Sequence, residues 1–130
     1  MKFLLDSNAV IAIMKGQPKM LANLKSHHPR DFGLPAIVAH ELYFGAFKSQ
    51  RAAENLARVE ALQFEVVEFD RNDARFAGQV RATLTLAGTP IGPYDVLIVG
   101  QALARSLILV TRNVREFQRV QGLALENWED

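Results

Sequence analysis

Phe3-Leu4-Leu5-Asp6-Ser7-Asn8-Ala9-Val10-Ile11 is the stretch from which the fold is read. Three apolar residues run straight into three polar ones, and apolar residues then resume through Ile13. A short unbroken apolar run closed by a turn signal reads as a strand buried on both faces of a parallel sheet. The polar triplet falls at the carboxyl end of that strand and opens a helix. In open α/β sheets ligands bind along that edge, where loops and helix starts converge. Asp6 is therefore a carboxylate on a rigid element at the functional edge of the sheet.

The same alternation of strand and helix continues outward. Ala9 to Met14 reads as a short helix with Gly16 as its C-terminal cap. Pro18 starts a second helix, with Met20, Leu21 and Leu24 on one face. Phe32-Gly33-Leu34 reads as a brief strand. The helix from Pro35 to Lys48 is apolar nearly all round, through Ile37, Val38, Leu42, Tyr43, Phe44 and Phe47; such helices are buried or cover an interface. A polar helix follows from Ser49 or Gln50 to about Leu62, and Phe64 to Phe69 reads as a strand. Asp70 or Asn72 caps a long amphipathic helix ending near Ala87-Gly88. The linker Gly88 to Pro93 cannot continue it. An apolar helix from Asp95 to Arg105, a strand from Leu107 to Val110, a short helix from Arg115 and an edge strand within Leu123 to Trp128 complete the series. The expectation is a single α/β domain over residues 1–130: a central parallel sheet in flavodoxin-like order with helices on both faces.

Composition narrows the function little. A chain of 130 residues suits one core, and 15 Lys and Arg against 14 Asp and Glu give no strong pull toward any partner. There is no cysteine, which removes disulfides and thiolate zinc sites. Lys2 before an apolar run resembles a signal peptide, but Asp6, Ser7 and Asn8 interrupt it and no membrane-length segment follows. The chain reads as soluble and cytoplasmic.

Topology brings distant acids together. In right-handed strand-helix-strand units, strand carboxyl ends and the following helix starts share one edge. Asp6 and Asn113 lie at strand ends, Asp95 at a helix start, and Glu41 in the second turn of its helix, roughly 9 Å from that start. Each has a plain alternative. Asp6 and Asp95 could be N-caps, Glu41 a solvated residue, and Asn113 a cap for the helix at Arg115. His27, His28 and His40 lack ligand spacing and read as structural or surface residues.

Leu5-Asp6-Ser7-Asn8, His40-Glu41-Leu42 with Gly45-Ala46, Gly92-Pro93-Tyr94-Asp95 with Ile98, and Val110-Thr111-Arg112-Asn113 with Arg115-Glu116-Phe117 occur in that order. As a set they resemble the PIN-domain nucleases, and among them the VapC toxins of bacterial toxin–antitoxin pairs. The resemblance covers nearly the whole chain, and Gly88 to Val120 is most similar to the VapC group that cleaves initiator tRNA. It implies a PIN fold with Asp6, Glu41 and Asp95 as metal-binding acids. The fourth family position, often Asp, is Asn113 here, and Val96 to Val99 lack the further acid some relatives carry. With three carboxylates, one tightly held divalent ion is expected.

Clustered carboxylates repel one another unless a cation compensates. Oxygen-only ligands favour Mg²⁺, with Mn²⁺ as a substitute. The expected reaction is water-mediated phosphodiester cleavage leaving a 5′-phosphate and a 3′-hydroxyl, with Thr111 and Ser7 orienting ligands or water. Lys15, Lys48, Arg51, Arg112, Arg115 and Arg119 are possible phosphate contacts. By resemblance the substrate is tRNA, cut in the anticodon region of the initiator, and the partner a VapB-like antitoxin; the apolar helix from Pro35 adds a homodimer. Two other readings stay open. One is a non-catalytic PIN module that binds RNA or protein. The other is a phosphotransfer or phosphatase domain, in which only Asp70 could accept the phosphoryl group.

Overall fold

The computed structural model describes all residues, 1–130. Five strands form one sheet: β1 (Phe3–Leu5), β2 (Phe32–Pro35), β3 (Glu65–Val67), β4 (Ile108–Val110) and β5 (Leu125–Glu126). Between them run α1 (Ser7–Met14), α2 (Pro18–Lys25), α3 (Ala36–Lys48), α4 (Ala52–Glu60), α5 (Arg71–Leu86), α6 (Pro93–Ala104) and α7 (Val114–Phe117), plus one 3₁₀ turn at Pro29–Asp31. Every strand pairing is parallel, and the order is β3-β2-β1-β4-β5.

The α/β class and the parallel sheet follow the expectation, but the strand order does not. A flavodoxin-like sheet would place β3 inside, between β1 and β4. Here β3 lies at an edge, and its residues explain why: Glu65 and Val66 are exposed and only Val67 is buried. An interior parallel strand is covered on both faces, as β1 is with all three residues buried. The charged residues of β3 would be costly there. The chain therefore steps twice in one direction, from β1 to β2 to β3, and then returns past β1 to β4. Right-handed crossovers put α1 to α4 on one face and α5 and α6 on the other.

Element boundaries shift where local chemistry says they should. Pro93 takes the first helical position of α6, so Asp95 is its third residue rather than its start. The strand at Phe64 to Phe69 shrinks to three residues, Glu65 to Val67. Gly16 has φ +74°, the left-handed turn that ends α1. Two further devices hold the frame. Gly100 of α6 lets α5 approach so closely that a Cβ would lie 2.5 Å from the Cα of Ala77. Asp73, buried in the capping box of α5, accepts from Arg105 Nη2 at 3.0 Å and from the Gln101 amide at 3.1 Å. Burial pushes Asp73 up, yet those donors and the Asp70 N–H outweigh it and hold the carboxyl below its usual range. At the other end Trp128 is buried against Phe3, Phe32 and His27, the last stacked at 5.3 Å between centroids.

Candidate active site

The sheet reverses its winding between β1 and β4, which is where open α/β sheets bind ligands. Asp6 follows β1 directly and its backbone N–H donates to the Val110 carbonyl of β4 at 3.3 Å. Its Oδ1 accepts from the Ala9 N–H at 2.8 Å, so it does cap α1. The cap does not account for its burial. A capping carboxylate sits in a favourable field and keeps a low pKa when water reaches it. Asp6 is 4% exposed. Burial outweighs the Thr111 hydroxyl and the Ala9 N–H, Asp95 and Glu129 add repulsion, and the pKa is pushed up to about 6. Thr111 is equally buried; its Oγ accepts from the Asn113 N–H at 3.0 Å, which leaves its own proton for Asp6.

Three more acids face this point. Glu41, half-buried in the second turn of α3, accepts at Oε1 from the Ser7 hydroxyl at 2.9 Å, which ties α3 to the start of α1. Asp95 makes no cap hydrogen bond. Burial first, then repulsion from Glu116 and Glu41, pushes its pKa up. A Cβ on Gly92 would meet Asp95 Oδ2 at 3.0 Å, so glycine there makes room for the carboxylate. Glu116 is a further acid, present in the Arg115-Glu116-Phe117 motif but without an expected role from sequence. It lies in the first turn of α7, and the Asn113 side-chain amide donates to its Oε2 at 2.6 Å. The Asn113 side chain does not cap α7; it holds Glu116. Spacing was the available signal, since residues three apart share a helix face. Glu116 therefore brings a fourth carboxylate to this edge from the neighbouring turn.

None of these acids has a cationic partner: the ion pairs of the molecule lie at Arg51–Glu54 and between Arg105 and Asp70 and Asp73. No three side chains stand close enough to form a finished metal cage. The donor chemistry nevertheless fits a hard divalent cation: carboxylates and hydroxyls only, mutually repelling, with the most buried member driven toward protonation.

The basic residues divide. Lys15 and Arg112 line one open cavity of about 500 Å³ beside α1, together with Asn8, Gln17 and Glu129. Lys48, the last residue of α3, lies 4.9 Å over the Phe44 ring, and Arg51 just beyond that end pairs with Glu54 at 3.8 Å. Arg115 is exposed on α7. Arg119 lines a separate cleft with Phe76 and Leu103. The histidines behave as read: His27 stacks on Trp128, His28 caps the 3₁₀ turn, and His40 is exposed on α3. Asp70 is the N-cap of α5, in a reciprocal capping box with Asp73. It is committed to that turn, which removes the support for a phosphoacceptor.

Residues 3–123 match the family model described as PIN domain. This chain belongs to the PIN-domain family. Among curated PIN-domain relatives, the tRNA(fMet)-specific endonuclease VapC of Salmonella typhimurium is 39% identical over 98% of both chains. The protein of the same name from Shigella flexneri is 38% identical over the same share. The DNA-bound VapBC structure from Salmonella typhimurium superposes with a TM-score of 0.93 at 39% identity, covering 98% of each chain. The PIN fold here is thus matched end to end.

Proposed function

We propose that this PIN domain is a divalent-metal-dependent endoribonuclease of the VapC type, acting on tRNA in the cytoplasm and neutralised there by a VapB-like antitoxin. The observation that carries the reading is the meeting of Asp6, Glu41, Asp95 and Glu116 at the β1/β4 switch point without a cation among them. A module that only bound RNA or protein would gain nothing from buried carboxylates that repel one another and the phosphate backbone. The names of the relatives supply the substrate class, with initiator tRNA as the preferred member.

In this reading Asp6, Glu41 and Asp95, joined by Glu116, hold Mg²⁺ or Mn²⁺. When bound, such an ion acidifies its water and neutralises charge on the leaving oxygen. The chain's own groups do the rest. Ser7 fixes Glu41, Asn113 fixes Glu116, and the Thr111 hydroxyl favours the ionised form of Asp6. Lys15 and Arg112 draw the RNA backbone toward the acids from one side. No pair of histidines is available to deprotonate and reprotonate a ribose hydroxyl, which favours attack by water, with 5′-phosphate and 3′-hydroxyl ends.

An apolar groove between α1, α3 and α4, lined by Ile11, Met14, Leu42, Ala46 and Val59, runs up to Glu41 and Lys15. It suits an amphipathic antitoxin segment that ends at the acids. Phe44 and Phe47 remain 60% and 66% exposed on α3, which supports a homodimer. The test of the function is incubation with total tRNA in Mg²⁺, Mn²⁺ or chelator, followed by mapping of the ends. Metal-dependent cuts with 5′-phosphates are expected; cyclic phosphates, or equal cleavage in chelator, would refute it.

A further inference from the structure

Helices α3 and α6 come together at the site in two adjacent places. Glu41 of α3 and Asp95 of α6 stand near enough to repel one another. One residue earlier on each helix, His40 meets Tyr94 edge-on, with ring centroids 5.0 Å apart at 64°. The aromatic pair therefore lies on the same α3–α6 seam as the acids. Both rings are open to solvent, Tyr94 at 48%. The His40 ring is not free to turn. Its Nδ1 lies 2.9 Å from the Ile37 carbonyl, and since a carbonyl only accepts, Nδ1 carries the proton and pins the ring. The exposed Tyr94 ring, with His40 pinned edge-on against it, offers its face to solvent beside the acids.

We propose that Tyr94, backed by His40, is the platform on which an unpaired nucleobase next to the scissile phosphate stacks. The proposal rests on the ribonuclease reading and deepens it, by naming the feature of the substrate that the rim recognises. Unstacked bases are what proteins read in single-stranded RNA, and any base offers a π-face to an aromatic ring. The Tyr94 face binds a base by stacking, an attraction that does not depend on charge in a cleft whose acids repel RNA. Tyr94 and His40 act as positioning residues: they hold the base so that its phosphate lies over the carboxylates. The consequence is a demand for a loop or an end over a paired stem, independent of base identity.

The test uses short RNA hairpins with 2-aminopurine at each loop position in turn, bound in chelator so that no cleavage occurs. Wild type is expected to quench the probe at one position. Tyr94→Leu should lose that quench and bind on the order of tenfold more weakly, while Tyr94→Phe keeps both. His40→Leu should lose part of the quench. An abasic nucleotide at the same position should weaken wild type by a similar factor and Tyr94→Leu no further. Equal quenching in Tyr94→Leu, or equal losses for intact and abasic hairpins, would overturn the proposal. So would a Tyr94→Leu variant that lost affinity only for an antitoxin peptide. Unchanged melting of the variants excludes a folding artefact. Because binding is read without metal and cleavage with it, loss of the quench and loss of cutting are scored separately, so failure of this proposal is distinguishable from failure of the nuclease reading on which it rests.

Discussion

At the residue scale the decisive group is Asp6. Its folded pKa of about 6 stands above the ordinary 3.8, so the folded protein holds a proton more tightly than the unfolded chain. A carboxyl raised in this way costs stability once pH passes the unfolded value, and the cost is complete above the folded one. The metal-free protein should lose stability between about pH 4 and pH 6 and then level off, by an amount on the order of 3 kcal/mol. Asp6→Asn removes that cost and keeps the cap, because an amide oxygen still accepts from Ala9. Its melting midpoint at pH 7 without metal should rise by several degrees, while cleavage is lost. A large drop in a thermal scan would make Asp6 a structural cap and no more. Asn113→Asp should do the reverse: it replaces a donor 2.6 Å from Glu116 with a second carboxylate. The variant should melt lower at pH 8 than wild type, with the gap closing near pH 4 as the pair takes up a proton.

At the element scale, the closeness of α5 and α6 sets where Asp95 stands. Gly100→Ala would push a Cβ to 2.5 Å from the Ala77 backbone, and backbone cannot rotate away as a side chain would. The cost should be about 1–3 kcal/mol in chemical denaturation, with activity falling as α6 shifts. Gly78→Ala on α5 meets nothing within 4 Å and is the control. It should stabilise by about 0.4–1 kcal/mol and leave activity intact. How much of this was legible follows the same division. Buried β1 and the capped helices announce themselves through apolar runs, Asp70, Pro18 and Gly16. The strand order did not, although Glu65 on β3 carried the signal for an edge position. Asp6, Glu41 and Asp95 could be placed at one edge from topology alone. Glu116 was marked only by its place three residues after Asn113, and the hydrogen bond from the Asn113 amide that holds it at the site appears only in the turn geometry.

At the scale of the whole molecule, one face of α3 serves the site and another remains open. Phe47→Glu should convert a dimer into a monomer in light scattering without loss of fold; a wild type that is already monomeric at high concentration would remove the proposed dimer. In the proposed reading, Asp6 after β1 and the carboxylates of α3, α6 and α7 together hold a divalent cation at the switch point. Calorimetric titration of Mn²⁺ into the folded protein tests it most directly. Wild type should bind saturably and release protons near pH 6, as Asp6 ionises on binding, and Asp6→Asn and Asp95→Asn should each bind far more weakly while melting as folded proteins. Undiminished Mn²⁺ binding by both variants would contradict the account.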